Sequence, residues 1–323
     1  MLPPLLKSLE KHFPNLDLDV KVAFGDPNSL RSSSLLRSLY LAIASHTLAT
    51  TKTSPLLTHV QTQIMGSKNL TKLTIKLSSM GCVLYTVDPK FSKPRGKRFP
   101  PLENLSLEAF PLSTANVDYW MMAMDWSRLR NLELRATWKP EYFLNAALSS
   151  AEGFPALETI RIELPHPYYS DTRADREAFE SAFLRFLSAP RTNGLSTVGM
   201  EGEYHPYLSA VLEIQGATLR SLHLHNPERS DDPQREMLTV PELRAIGLQA
   251  PNLEEIAVDI NKLNGSLVST SLCHPLVGTL DLIFVAARGA YRYAPLRVFI
   301  PVPEGRRAQR DIRGLKLHLA LGG

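Results

Sequence analysis

Apolar residues recur along this chain in one frame, apolar-x-x-apolar-x-apolar, usually filled by Leu and sometimes by Ile, Val or Met. The frame is occupied by Leu36, Leu39 and Leu41, by Leu70, Leu73 and Ile75, by Leu102, Leu105 and Leu107, and by Leu129, Leu132 and Leu134. It returns at Leu157, Ile160 and Ile162, at Leu195, Val198 and Met200, at Leu219, Leu222 and Leu224, and at Leu253, Ile256 and Val258. Weaker copies follow at Val277, Leu280 and Leu282 and at Ile312, Leu315 and Leu317, and a strand near Leu16 and Leu18 is expected to open the series. The last two apolar positions of each frame are two residues apart, so they share one face of a strand and leave the intervening positions on the other. The first sits three residues earlier, at the turn into the strand. This is the strand half of a leucine-rich repeat. Successive frames begin about 24 to 38 residues apart, so the repeats are uneven and some carry insertions.

Between frames the period changes. Phe179, Phe183 and Phe186, with Leu184 and Leu187, set an apolar stripe on a helix predicted over 173–189. Shorter helices are predicted over 141–151, 206–214 and 242–250, and another near the start from Leu5, Leu6, Leu9 and Phe13. Proline stands ahead of several frames, at Pro100 and Pro101, at Pro155 and at Pro251. Lacking an amide donor, proline ends a preceding helix and suits a helix-to-strand corner. The predicted fold is therefore α/β, a leucine-rich-repeat solenoid forming one continuous domain over 1–323. It is an irregular horseshoe, with parallel strands on its concave face and helices on its convex face. An ordinary Leu-rich α/β protein is the competing reading, but a doubly wound sheet rarely repeats one register so often.

Composition supports this picture. Of 323 residues, 52 are Leu, and that excess is the repeat itself. The net charge is +4, but it is unevenly placed. Lys90, Lys93, Arg95, Lys97 and Arg98 form one basic run, and residues 288–323 carry eight basic against two acidic side chains. The rest of the chain is net acidic, so the overall positive sign does not describe the predicted solenoid. The segments 88–101, 226–234 and 288–310, punctuated by Pro or Gly, are predicted as exposed loops. The run at 90–98 suits nuclear import or nucleic-acid contact, or simply a solvated loop.

Cys82 and Cys273 stand far apart, without disulfide or thiolate-metal spacing, so a reducing compartment, cytoplasmic or nuclear, is expected. Charges at Lys7, Glu10 and Lys11 arrive too early for a secretory leader. The longest apolar stretch, 282–287, is far short of the roughly 20 residues a membrane span needs.

No phosphate-binding glycine loop, dinucleotide fingerprint, zinc-protease helix, nucleophile elbow or Cys-x-x-Cys occurs. No catalytic residue, cofactor or metal is therefore assigned, and the chain is read as non-enzymatic. His223 and His225 flank Leu224 and share a strand face. Two imidazoles so placed can share a metal, with Glu201 the nearest third ligand, or can simply face solvent. Trp120, Trp126 and Trp138 cluster with Met121, Met122 and Met124. They fit a partner-binding patch or a core where a helix meets the fourth strand, and core packing is expected above all for Trp126.

The frame's own polar positions are the candidate binding surface. They comprise Lys72, Lys76, Glu108, Glu133, Arg135, Arg161, Glu163, Glu201, His223, His225, Glu255 and Asp259, with Thr74, Asn104, Ser106, Asn131 and Thr159 between them. Their mixed charge suits a protein or peptide partner on the concave face. A phosphate backbone needs a continuous basic track instead.

Three segments carry a family likeness: Leu5-Leu6-Lys7-Ser8-Leu9-Glu10-Lys11-His12-Phe13-Pro14, Phe99-Pro100-Pro101-Leu102-Glu103-Asn104-Leu105-Ser106-Leu107, and Asp125-Trp126-Ser127-Arg128-Leu129-Arg130-Asn131-Leu132-Glu133-Leu134. In these the chain resembles the fungal F-box and leucine-rich-repeat-like proteins. The resemblance implies an adaptor of a ubiquitin ligase, whose F-box binds the Skp1 subunit and whose repeats hold the substrate. An F-box opens with Leu-Pro followed by an acidic residue, whereas Leu2-Pro3 here runs into Pro4-Leu5-Leu6-Lys7. With a strand predicted by about Leu16, three F-box helices do not fit. The likeness therefore covers the repeats only, and a Skp1-like partner is expected only if an F-box lies upstream. The functional expectation is a protein-interaction scaffold without membrane association. A repeat scaffold unrelated to ubiquitin and an enzyme on an α/β fold remain the alternatives.

Overall fold

A computed structural model describes residues 11, 18–23, 36–44, 55–78, 98–150, 153–164, 173–189, 192, 194–226, 238–258, 262–263, 266–267, 283–284 and 296–299. The strands are β1 (Leu18–Ala23), β2 (Leu36–Ala44), β3 (Lys72–Ser78), β4 (Asn104–Glu108), β5 (Asn131–Arg135), β6 (Thr159–Glu163), β7 (Thr197–Glu201), β8 (Ser221–His225) and β9 (Glu255–Val258). They lie side by side in chain order, and every neighbouring pair among them is parallel. Helices alternate with the later strands: α1 (Pro55–Gly66), α2 (Thr114–Ala123), α3 (Pro140–Ser149), α4 (Arg173–Ser188), α5 (His205–Gln215) and α6 (Val240–Gln249). The architecture is α/β, one parallel sheet alternating with helices, and is compatible with a solenoid-like arrangement.

The apolar frame explains the register. Leu39, Leu73, Leu105, Leu132, Ile160, Val198, Leu222 and Ile256 pair in succession across the sheet, as do Leu41, Ile75, Leu107, Leu134, Ile162, Met200, Leu224 and Val258. A slip of one residue would turn a whole strand's apolar set to the wrong face. All these side chains are buried except that of Val258, which is half-buried. The first frame positions, Leu70, Leu102, Leu129, Leu157, Leu195, Leu219 and Leu253, are buried as well.

The corners repeat too. The carbonyl of Thr71 accepts the amides of Glu103 and Asn104, that of Glu103 accepts Arg130 and Asn131, and that of Arg130 accepts Glu158 and Thr159. Glu158, Ser196 and Arg220 continue the series to Glu255. Each turn therefore satisfies its backbone groups on the turn before it, as buried or half-buried polar backbone requires.

The helices pack in succession, α2 on α3, α3 on α4, α4 on α5 and α5 on α6, and their buried faces join those of the strands in one core. Trp126 is buried against Phe143 and Phe154, with ring centroids 5.5 and 5.0 Å away, and its indole N–H donates to the Met121 carbonyl. Trp120 and Met124 are buried, whereas Trp138 and Met122 are exposed. The aromatic cluster is thus divided between core and surface.

Predicted and observed elements differ in places. The helix predicted over 173–189 is α4, and those over 141–151, 206–214 and 242–250 are α3, α5 and α6 within two residues at either end. Helix α1 has no counterpart in the sequence reading. Within 288–310, read as a loop, Leu296–Phe299 forms a strand antiparallel to β9 and continues to Ile283–Phe284. A β-forming run between Pro295 and Pro301 accounts for it. Phe99 and Pro100, at the end of the predicted loop 88–101, are buried, while Arg98 is exposed. The N-terminal helix around Leu5, the rest of the basic run at 90–98, and the weak frames at 277–282 and 312–317 lie outside the described residues.

Candidate functional site

Strand alternation places three rows of polar positions on the sheet face opposite the core. The first row runs Lys72, Asn104, Asn131, Thr159, Thr197, Ser221, Glu255. The second runs Tyr40, Thr74, Ser106, Glu133, Arg161, Gly199, His223. In the third, Lys76, Glu108 and Arg135 pair in turn, and Glu163, Glu201 and His225 continue on β6 to β8. A groove of 560 Å³ lies along this face from β2 to β9. Lys72, Glu108, Glu133, Arg135, Arg161, His223 and Glu255 line it. Lys76, Glu163, Glu201 and His225 stand on the third row without lining it, and Asp259 lies outside the described residues.

Charges on the third row are bound to one another. Lys76 pairs with Glu108 on the next strand. Arg135 reaches past β6 to Glu201, at 3.1 Å, and its Nε also lies 3.9 Å from Glu133 Oε1. Burial opposes the charge on Arg135, but Glu201, Glu133 and Glu108 together raise its pKa. Glu163 accepts the Ala136 amide at 2.5 Å. Ala136 sits at φ 47°, where β5 leaves the sheet, so Glu163 satisfies a turn that non-glycine residues rarely adopt. Burial, reinforced by Glu201, raises the Glu163 carboxyl above the usual carboxylate range.

The first row is neutral in its middle. Asn131 Nδ2 donates to Asn104 Oδ1 at 2.7 Å across β4 and β5. At the far end, Ser221 Oγ lies 2.7 Å from His223 Nε2 and 3.2 Å from Glu255 Oε2. In a nucleophilic relay the carboxylate orients the imidazole through its second nitrogen. Here Ser221 donates to the Glu255 carboxylate, and the same Glu255 oxygen lies 3.9 Å from Nε2, the imidazole nitrogen that faces the serine, not from the second ring nitrogen. His223 and His225 stand on different rows, and among the described residues no three His, Cys, Asp or Glu side chains gather as metal ligands.

Arg161, at the centre of the face, is exposed. An added Cβ on its in-register neighbour Gly199 would stand 2.9 Å from Arg161 Cγ. Glycine there lets the aliphatic stem lie across bare backbone.

The sequence frame finds most of this surface. It omits Tyr40, Thr197, Ser221 and Gly199, although the last three occupy columns already chosen on neighbouring strands. The frame cannot reveal which charges pair, because Arg135 and Glu201 are two strands and 66 residues apart. No helix among the described residues is long and apolar enough to cross a membrane. Comparison with protein-family models gives no match, and comparison with curated proteins gives none either.

Proposed function

We propose that the chain is a leucine-rich-repeat protein acting as a protein-interaction scaffold, with the polar sheet face holding a protein or peptide partner. The groove along that face carries the reading. It spans many strands, mixes both charges with amides and hydroxyls, and is floored by parallel strands. Open faces of this kind are what repeat proteins use for binding. That Ser221, His223 and Glu255 are not arranged as a nucleophilic relay is in keeping with a binding role.

Reversing charge at the centre tests the proposal. Capture of partners from cell extract by the intact chain should be lost in the double variant Glu133→Lys, Arg161→Glu, with the fold retained by circular dichroism. Equal capture by both proteins contradicts it. The more specific reading, the recognition half of an F-box-type ubiquitin ligase adaptor, rests on the sequence resemblance. Co-purification of a Skp1-like subunit with the intact gene product supports that reading, and its absence favours a scaffold unrelated to ubiquitin.

A further inference from the structure

The formal charge of the polar face conceals its chemistry. The candidate residues include five glutamates, Glu108, Glu133, Glu163, Glu201 and Glu255, which suggests a basic partner. Each of these carboxylates already has a protein partner through at least one oxygen, and Glu255 Oε1, which has none among the described residues, is buried. Lys76 holds Glu108, Arg135 holds Glu201 and faces Glu133, the Ala136 amide donates to Glu163, and Ser221 donates to Glu255. Lys72 and Arg161, by contrast, make no hydrogen bond, ion pair or ring contact among the described residues. Both line the groove. Among the described residues, the accessible unpaired charges in the groove are therefore these two cations.

We propose that the groove takes an extended acidic peptide, with two carboxylates seated on Lys72 and Arg161. This rests on the interaction-scaffold reading and names its partner's chemistry. Gly199 leaves room for the Arg161 stem, since a Cβ there would stand 2.9 Å from Arg161 Cγ, and the exposed guanidinium can fork onto a carboxylate with two parallel hydrogen bonds.

Spacing follows from the sheet. Lys72 on β3 and Arg161 on β6 are three strand steps apart and two residues offset along the strands, about 16 Å at the usual strand spacings. An extended chain advances roughly 3.3 Å per residue, so the two acids should be about five positions apart. Between them lie Asn104, Asn131 and Thr159, whose amides and hydroxyl both donate and accept, as a crossing peptide backbone needs. A nucleic acid fits less well. Its phosphates need a continuous basic track, and here two separated cations stand among carboxylates.

The test is selection of a random-peptide display library on the full chain. Enriched peptides should carry two Asp or Glu residues at that spacing. Their affinity should fall at least about tenfold in Arg161→Glu and be regained when the matching acid of the peptide is changed to Lys. Both cations are surface side chains, so the variants should fold as the parent does. Ser106→Trp, which fills the groove, separates the two levels of the proposal. Peptides without an acidic pair that are still lost in Ser106→Trp would overturn the acidic-ligand inference and leave the scaffold reading standing. Selection insensitive to both variants would overturn both. Displacement of the peptide by a single-stranded oligonucleotide at equal or lower concentration would reassign the cations to phosphate.

Discussion

Glu163 carries a charge that its surroundings disfavour. It is half-buried beside Glu201, and both burial and that neighbour push its carboxyl above the ordinary glutamate value. The folded chain therefore holds this proton at pH values where the unfolded chain has released it. The associated stability is full below the ordinary glutamate pKa and is lost as pH rises through the raised one. Glu163→Gln keeps an acceptor for the Ala136 amide and abolishes the charge. Its urea midpoint should equal or exceed that of the parent at neutral and alkaline pH, with the gap closing as pH falls through the carboxylate range. A deficit that stays constant with pH would contradict this account. Arg161 gives the complementary lesson. Sequence identifies it as one polar residue among a dozen, and it is Gly199 on the next strand and the pairing of every neighbouring glutamate that set it apart.

At the scale of elements, the start of α6 is tied to the start of α5. Thr239 donates its amide to Glu242 Oε2 at 2.7 Å, and its hydroxyl accepts the Glu242 amide, a capping box. The other Glu242 oxygen lies 2.8 Å from His205 Nδ1 at the start of α5. Burial works against the Glu242 charge, but the Thr239 and His205 contacts outweigh it and lower the pKa. Thr239→Ala should cost about 1 kcal/mol, read from the urea midpoint at neutral pH. Because a lowered carboxylate contributes stability above the ordinary glutamate pKa and loses it as pH falls through the lowered one, the penalty should shrink in acid. The strands and α4 are legible in the sequence because their stripes are purely apolar. Helix α2 is harder to bound, since its buried face mixes Asn116, Tyr119 and Trp120 with Val117 and Ala123. Leu296–Phe299 escapes for another reason: it follows no frame and joins the sheet antiparallel, through a partner far away in sequence.

At the scale of the molecule, one frame of alternating positions separates two tasks. Its apolar members build a continuous core with the helices, and its polar members form a face with a groove. The architecture and most residues of that face are readable from the frame alone, because in-register parallel stacking carries each column across the sheet. The ion pairs are not, since they depend on side-chain reach between strands. If partners bind on this polar face, backbone amide exchange of the full chain, with and without a peptide selected on it, will register them there. Protection is predicted to rise over residues 72–76, 104–108, 131–135 and 159–163, with α2 to α5 unchanged. Protection confined to the helices, with these strands unaltered, would contradict it.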